Sequence, residues 1–373
     1  MGSSLSLGKI FGIPIRLHFT WFFVFILITA FLIALPIPGA YILWFRIVIA
    51  IIGSLLLFIS ILVHELAHSL IAIKNNIPVN SITLFVFGGV SHITKEASNP
   101  KIEMLIAAVG PLASIIIASI FYAIHLLLIQ FVADPLLITI AQWLAFINAL
   151  MAMFNLIPGF PLDGGRIFRS IIWARTNNYV KSTRIATTSG RIVGYIFIVG
   201  GIIFMFVTGE WMNGLWLAFI GWFLETSATI SYRETLLRDT LNKVTAREVM
   251  NTDCPIILRE LNLKELIHSF MTPTGHRCFI VATIDGKFEG FIILKKVKSI
   301  PQNNWESTSV GEIMIQDDSL SIAHPDQNAL SLLEKMDAQN IDYVPVVEEE
   351  KIIGLIARDN LMQLPQIRAA LKI

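Results

Sequence analysis

The sequence predicts a polytopic α-helical membrane protein with about six transmembrane helices, joined to a C-terminal cytoplasmic α/β region. Of its 373 residues, 55% are hydrophobic and only 15% are charged, unlike a soluble enzyme. The apolar residues form long runs up to about Tyr232, beyond which charge recurs every few positions. We therefore expect a membrane domain at residues 1–232 and a linker at 233–243. The net charge of +1 does not suggest a nucleic-acid partner.

Six stretches are long enough to cross the lipid bilayer, since one crossing takes about 17 to 25 residues. They lie near residues 18–35, 41–73, 102–131, 136–157, 186–208 and 211–231. The second and third exceed the length of one crossing, so we expect them to tilt or to project from the membrane.

The basic residues predict the orientation of these spans. Lys and Arg lie before the first span and after the second, fourth and sixth spans, whereas the connections "PIPGA", "VADP" and "TGE" contain none. Because cytoplasmic connections carry the excess of Lys and Arg, both termini are predicted to be cytoplasmic. We expect a multi-pass protein of the cell membrane.

Three ionisable residues lie within the second apolar run. His64, Glu65 and His68 form the pattern HExxH. On a helix, positions i and i+4 share a face, so both imidazoles can bind one metal ion while the glutamate faces a coordinated water. The alternative is a pair of structural histidines bonded to neighbouring helices. The metal site is favoured because ionisable groups inside a membrane are costly and usually functional.

A third metal ligand is expected from another span, because a catalytic zinc generally has three protein ligands and one water. The segment "FNLIPGFPLDGGRIF" ends the fourth span, with Pro158 and Pro161 breaking the helix. Irregular backbone at membrane depth is tolerated only where protein buries it or where it lines a wet cavity. Asp163 is the carboxylate in this segment, and we favour it as third ligand over a loop-capping aspartate.

HExxH at 64–68 followed by N-x-x-P-x-x-P-x-D-G, from Asn155 to Gly164, resembles the site-2 protease family of intramembrane metalloproteases. The resemblance extends to "LGKIFGIPIRLH", "FGGV" and "AAVGPLAS" and covers the whole membrane domain. It implies one Zn²⁺ per chain, bound by His64, His68 and Asp163, with Glu65 as the catalytic glutamate. Asn155 is then a polar helper near the metal or an interhelical hydrogen-bonding residue.

The resemblance also implies the reaction and the substrate class. The family hydrolyses a peptide bond in or near the transmembrane segment of a membrane-protein substrate, within regulated intramembrane proteolysis. A helical substrate must unwind locally, and an exposed strand could hold its extended form. The segment "VNSITLFVFGGVSHI" predicts a strand with a turn, so Gly88, Gly89 and Val90 are candidates for pairing with the substrate; a plain membrane-surface hairpin is the alternative. His92 is expected to be a polar loop residue.

The cytoplasmic part contains an internal repeat at an offset of 64 residues, without gaps. Each copy predicts a strand, an amphipathic helix, two strands and a second helix, and we place the copies at residues 244–307 and 308–373. They resemble a tandem pair of CBS modules. The aligned positions are Val249-Met250 with Ile313-Met314, Glu265-Leu266 with Ala329-Leu330, Phe279-Ile280-Val281 with Tyr343-Val344-Pro345, and Gly290 with Gly354.

The pair departs from the family's nucleotide-binding signature, Gly-h-h-Ser/Thr-x-x-Asp, in which h is apolar. Leu294 and Val297 stand at the hydroxyl and carboxylate positions of the first copy, and Ala357 and Asn360 in the second. No nucleotide-binding residue is assigned. A ligand-sensing role, a homo-oligomer and contact with the membrane domain all stay open.

Cys254 and Cys278 fall in the cytoplasmic part, where thiols stay reduced, and they lack the spacing of a metal or redox pair. We expect two free cysteines without a role.

Two other functions compete with the protease. A transporter with a CBS tail could use intramembrane His, Glu and Asp as an ion pathway. Such a pathway has no need for HExxH together with a Pro-flanked Asp at matched depth. A proteolytically inactive scaffold could lose Glu65 freely, yet the residue is present.

Overall fold

The computed structural model describes residues 4–39, 41–86, 88–93, 96–132, 134–276, 278–284, 288–316, 322–349 and 351–371. It consists of two compact units, Met1–Arg233 and Glu234–Ile373. The first is mostly helical with one small sheet, and the second mixes helices and strands.

The described residues of the first unit form seven helices, of which the last, α7, continues into the second unit. They are α1 Phe19–Ala34, α2 Leu43–Lys74, α3 Pro100–Phe131, α4 Pro135–Asn155, α5 Asp163–Thr176, α6 Tyr179–Thr208 and α7 Trp211–Leu241. Each predicted span coincides with one helix, and α5 lies in the basic connection where no span was predicted.

Four of the described helices, α2, α3, α4 and α6, are long and apolar enough to cross a membrane. Helix α1 is also apolar but has only 16 residues. The protein is therefore a helical membrane protein, and the number of six spans stays a prediction.

Both ends of α4 follow from the local sequence. Asp134 caps α4 by accepting hydrogen bonds from the backbone N–H groups of Leu136 and Leu137. The same helix ends at Asn155, three residues before the first of the two prolines in the connection to α5. This short connection turns the chain back, so that α5 packs against α3 and α6.

Four strands form the sheet of the first unit. They are β1 Ser4–Ile10, β2 Ile13–His18, β3 Val79–Phe85 and β4 Gly88–Ile93, in the order β1-β2-β3-β4. Strands β2 and β3 are parallel, whereas the two outer pairs are antiparallel. Strand β4 therefore lies at an edge of the sheet. His92 lies within this strand, so the expectation that it is a loop residue is wrong: the hairpin extends beyond the glycines to Ile93.

The sheet packs on a face of α2 that includes Glu65 and Leu66, whereas His64 and His68 face α3. Leu66 is buried against Ile13, Ile15 and Ile82. About two helical turns earlier on α2, a second cluster joins Phe58 to β2, β3 and α1. This packing places β4 beside α2.

The described residues of the second unit form six strands. The first four form one sheet, in which β5 and β6 are parallel and the other pairs antiparallel; the last two form an antiparallel pair. The strands are β5 Ile256–Leu258, β6 Cys278–Ala282, β7 Phe288–Ile293, β8 Ile315–Gln316, β9 Tyr343–Glu348 and β10 Lys351–Ala357.

Short helices complete the second unit. They are α8 Ala246–Val249, α9 Leu263–Glu265, continued by a π-helical turn Leu266–Met271 and by α10 Thr272–Thr274, α11 Leu294–Lys298, a 3-10 turn Gln302–Asn304, α12 Val310–Ile313, α13 Ala329–Gln339 and α14 Arg358–Leu371.

The repeat is visible in matching capping boxes that start α8 and α12. Thr245 with Glu248 and Ser309 with Glu312 make the same reciprocal bonds, 64 positions apart. The buried cores do not divide where the repeat does. Residues 241–246 pack with residues 323–361, whereas Val310 packs with residues 257–297. The boundary predicted at 307/308 marks the sequence repeat rather than a packing unit.

The two cysteines form a disulfide, so the expectation of free thiols is wrong. Cys278 begins β6, and Cys254 lies just before β5, its parallel neighbour. Strand pairing brings the two Cα atoms to 5.3 Å, within the range that a disulfide needs. Their separation of 24 positions in sequence gives no sign of this proximity.

Candidate metal centre

The HExxH residues lie in the second half of α2, with His64 and His68 one turn apart on a buried face. The two side chains are 5% and 4% exposed. Their Nε2 atoms are 3.1 Å apart. The i, i+4 spacing therefore places two imidazoles at one point, as the helix period requires.

Helix α3 holds both imidazoles from behind. The Nδ1 atom of His68 lies 2.6 Å from the carbonyl oxygen of Ile106, and that of His64 lies 2.9 Å from Oγ of Ser114. A carbonyl only accepts, so Nδ1 of His68 carries a proton, and Nε2 is the nitrogen left to bind a metal ion. This is the outer-shell arrangement that orients histidine ligands of metals.

Asp163 meets the two rings from α5, of which it is the first residue. Its Oδ2 atom lies 3.3 Å from Nε2 of His64 and 3.2 Å from Nε2 of His68. The Pro-containing connection after α4 delivers this carboxylate to the depth of the histidines.

The three donor atoms fit a zinc ion. Bond lengths of about 2.0 to 2.1 Å in a tetrahedral arrangement place ligand atoms about 3.3 Å apart. The observed separations are 3.1, 3.2 and 3.3 Å. Among the described residues, this group is the one set of three or more His, Cys, Asp and Glu side chains whose donor atoms come close enough to hold a metal ion.

Gly110 of α3 leaves the room that the centre needs. A Cβ atom at this position would lie 2.1 Å from Nε2 of His68 and 2.8 Å from Nε2 of His64. Any side chain here would fill the space at the imidazole nitrogens. Gly110 therefore lets α3 approach the imidazole-bearing face of α2 closely.

Glu65 faces a cavity of about 630 Å³ that the metal-ligand candidates also line. Its Oε2 atom accepts a hydrogen bond of 2.7 Å from Oγ of Ser91 on β4. The carboxylate therefore lies between the paired imidazoles of α2 and the edge strand.

The other predicted site residues line the same cavity. They are Asn155 at the end of α4 and Gly88, Gly89 and Val90 on β4. Val90 is 40% exposed, and Gly89 lies under Glu65. Residues 216–224 of α7 close another side of the cavity with large apolar side chains.

Sequence reasoning missed three contributors: Ser91, Ser114 and the carbonyl of Ile106. Ser114 ends the quoted segment "AAVGPLAS" and Ser91 follows "FGGV", so both lay next to recognised motifs. Nothing in either motif shows which helix or strand will lie against the histidines. Their roles depend on tertiary packing.

Three further polar residues of the membrane unit bond to groups outside the centre. His18 caps α1 by accepting from the N–H of Thr20, and Nδ1 of His125 bonds the carbonyl of Ile138. Asn148 donates to the carbonyl of Leu144.

The sequence matches the description "Peptidase family M50" over residues 52–133 and 130–201, and "CBS domain" over residues 310–366. The M50 match spans α2 to α6 and includes all three metal-ligand candidates. The CBS match covers the second copy of the repeat.

Similar proteins carry zinc metalloprotease names. Rip3 of Mycobacterium tuberculosis is 30% identical over 371 residues, covering 98% of this chain and 93% of Rip3. The protein sll0528 of Synechocystis sp. is also 30% identical, covering 99% of this chain and 97% of its own length. Among solved structures, the site-2 protease of Methanocaldococcus jannaschii is 31% identical, covers 61% of this chain and 94% of its own, and has a TM-score of 0.43.

Proposed function

The chain belongs to peptidase family M50 and is a membrane-embedded zinc metalloprotease with a CBS domain, and from this premise we propose its substrate class and the roles of its residues. It hydrolyses a peptide bond in or near the transmembrane segment of another membrane protein. The observation that carries this proposal is the meeting of His64, His68 and Asp163 within 3.1 to 3.3 Å, on and beside a helix long enough to span a bilayer.

His64, His68 and Asp163 would hold the zinc ion. Bound zinc polarises a carbonyl and lowers the pKa of a coordinated water. Both imidazoles would bind the ion through Nε2, because α3 occupies their Nδ1 atoms. Asp163 would add a carboxylate oxygen, whose negative charge would balance part of the charge of the ion.

Glu65 is the general base and acid. Its carboxylate takes a proton from the attacking water and passes it to the leaving amine. It is suited to this role because it lies one residue from a ligand, on the wall of the cavity that the ligands also line. Asn155, at the end of α4, lines the same cavity, and its amide is placed to assist a polar substrate group.

Strand β4 aligns the substrate. A helix hides its peptide groups in i to i+4 hydrogen bonds, so the substrate must be extended before cleavage, and an edge strand can hold it by β-addition. Gly88, Gly89 and Val90 lie at the edge of the sheet and on the cavity wall. The absence of side chains at the two glycines allows a second backbone to approach closely.

The CBS pair acts as a regulatory module in the cytoplasm, and both termini lie on that side of the cell membrane. Nucleotide binding is not assigned, because Val297 and Asn360 stand where the signature has an aspartate. A homo-oligomer formed through the CBS pair is the second arrangement by which this module could act.

The competing functions explain less of the structure. An ion pathway has no need for three donor atoms converging at zinc-like distances from α2 and α5. A scaffold without activity has no need for a carboxylate at position 65 that a serine holds in the cavity.

Metal analysis of the detergent-purified protein, combined with cleavage of a single-span substrate, tests the proposal. We expect one zinc per chain in the wild type and in Glu65→Gln, with proteolysis lost in the variant because a neutral amide cannot accept the proton. Glu210→Gln, in the connection between α6 and α7, is the matched control and should cleave normally. Proteolysis that persists in Glu65→Gln would contradict the mechanism.

A further inference from the structure

We propose that Ser91 is a positioning residue for catalysis: its hydroxyl fixes the carboxylate of Glu65, so that the strand that aligns the substrate also orients the general base. This inference rests on the proposed function, since it assumes that Glu65 is the base.

The contact itself is a charge-assisted hydrogen bond. Oγ of Ser91 donates to Oε2 of Glu65 at 2.7 Å, and it also lies 3.3 Å from the backbone carbonyl of Glu65. Within the part of the chain that the structure describes, no other side chain or backbone group donates to this carboxylate. A single donor therefore fixes which oxygen is held and which remains free for a proton.

A second serine supports the first. Oγ of Ser69, one turn beyond Glu65 on α2, donates to Oγ of Ser91 at 3.1 Å. Ser69 is fully buried, and its hydroxyl occupies an acceptor position of Ser91. Ser91 is thereby left with its own proton directed at Glu65. The order Ser69, Ser91, Glu65 forms a directed chain of hydrogen bonds.

Gly89 limits the conformations that the side chain of Glu65 can adopt. A Cβ atom on Gly89 would lie 2.5 Å from Cγ of Glu65, so the glutamate packs directly on the strand backbone. Residues i and i+2 of a strand point to the same face, and Gly89 and Ser91 both meet Glu65. One of them provides room and the other provides the hydrogen bond.

The result is a strand with two duties. Gly89 and Ser91 contact the base on one face of β4, whereas Val90, on the opposite face, is exposed. A substrate that pairs with the edge of β4 therefore contacts the same backbone that positions the base. Alignment of the scissile bond and orientation of Glu65 are set by one element.

The test compares Ser91→Thr with Ser91→Val, two β-branched side chains of nearly equal shape that differ by the hydroxyl. We expect Ser91→Thr to retain most activity and Ser91→Val to lose about 10-fold or more in kcat, with KM unchanged, since a hydrogen bond to a charged group is removed. Zinc content should be unchanged in both variants, because Ser91 contacts none of the ligand candidates.

Two further variants serve as references. Ser60→Ala removes another buried hydroxyl from the α2 region, one that donates only to the backbone carbonyl of Leu56, and should leave kcat unchanged. Ser69→Ala should show a smaller loss in kcat than Ser91→Val, because it loosens the hydroxyl of Ser91 without removing it.

The outcomes separate this inference from the proposed function. Equal activity of Ser91→Thr and Ser91→Val, with Glu65→Gln inactive, would overturn the role of Ser91 and leave the protease mechanism standing. A rise in KM alone in Ser91→Val would assign Ser91 to substrate binding and overturn its positioning role. Activity that survives Glu65→Gln would overturn both.

Discussion

At the scale of single residues, the metal centre depends on a position without a side chain. Gly110 lies where a methyl group would come within 2.1 Å of Nε2 of His68 and 2.8 Å of Nε2 of His64. The lone pairs that would bind zinc point into this space. Because α3 also holds the imidazoles through Ile106 and Ser114, the rings cannot move away without losing those bonds.

We therefore expect Gly110→Ala to reduce zinc content and to lower proteolysis at least about 10-fold, through displacement of a ligand nitrogen. Gly200→Ala is the matched control: it also lies within a membrane helix, and a Cβ there would meet nothing within 4 Å. Metal analysis and cleavage of a single-span substrate give the two readouts. Full zinc occupancy with wild-type turnover in Gly110→Ala would show that a methyl group at this position does not displace the imidazoles.

The sequence predicted that His64, His68 and Asp163 come together, but not which residues of α3 orient the two imidazoles. His64 and His68 share a face because of the helix period alone, so their proximity needs no tertiary information. Asp163 was predicted as a ligand from its place in a Pro-broken segment and from the family motif. The partners of the imidazoles on α3 could not be predicted, since they depend on which turns of two long helices face each other.

At the scale of elements, α5 delivers Asp163, and a buried ion pair fixes α5 on α3. Arg169 bonds Glu103 through two of its nitrogens, one of them at 2.7 Å, and Glu103 is only 1% exposed. The guanidinium carbon lies 4.7 Å from the ring centroid of Phe160 and 4.6 Å from that of Tyr179. This cluster lies less than two turns of α5 from the carboxylate of Asp163.

Breaking this pair should destabilise the protein strongly. Arg169→Met leaves Glu103 as a buried, uncompensated charge, at a cost of about 3 to 5 kcal/mol. We expect a lower Tm and lower zinc content, and a partial recovery of both in Arg169→Met/Glu103→Leu. Arg175→Met, at the exposed far end of α5, should leave both values unchanged. A double variant no more stable than Arg169→Met would show that the loss does not come from the stranded charge.

Hydropathy predicted where the long helices lie but not all of the elements. Helix α5 was missed because its polar residues keep it below the threshold for a span, and α6 begins at Tyr179, seven residues before the predicted span, within a stretch of hydroxyl and basic side chains. The strand and turn around Gly88 were predicted, because alternation and paired glycines are local signals. The place of His92 within β4 was not predicted, because this residue was expected to lie in a loop.

At the scale of the whole molecule, the repeat of the second unit was predictable, whereas its packing was not. The capping boxes at Thr245 and Ser309 keep the offset of 64 residues. Yet Thr245 pairs with Asn328, and Ser309 pairs with Asn262, so the start of each copy is attached to the body of the other. These bridges join residues of different copies, so they cannot be predicted from the sequence of one copy alone. The disulfide lies within the first copy, and it was missed because cytoplasmic thiols were expected to stay reduced.

The predicted topology can be tested on the full chain. We expect a fluorescent-protein fusion after Ile373 to fluoresce and an alkaline phosphatase fusion at the same point to be inactive, because both termini are predicted to be cytoplasmic. Phosphatase inserted between α3 and α4, or between α6 and α7, should be active, since these connections lack Lys and Arg. Phosphatase activity at the C-terminus would contradict a cytoplasmic C-terminus.

The hydrogen bonds from α3 to the two imidazoles affect how the protein binds its metal ion. Helix α3 offers no ligand itself, yet it sets the ring planes through bonds that do not involve the ion. The protein itself therefore forms the metal site before an ion binds. We therefore expect that removal of zinc, or its exchange for another divalent ion of similar size, leaves the packing of α2 against α3 unchanged.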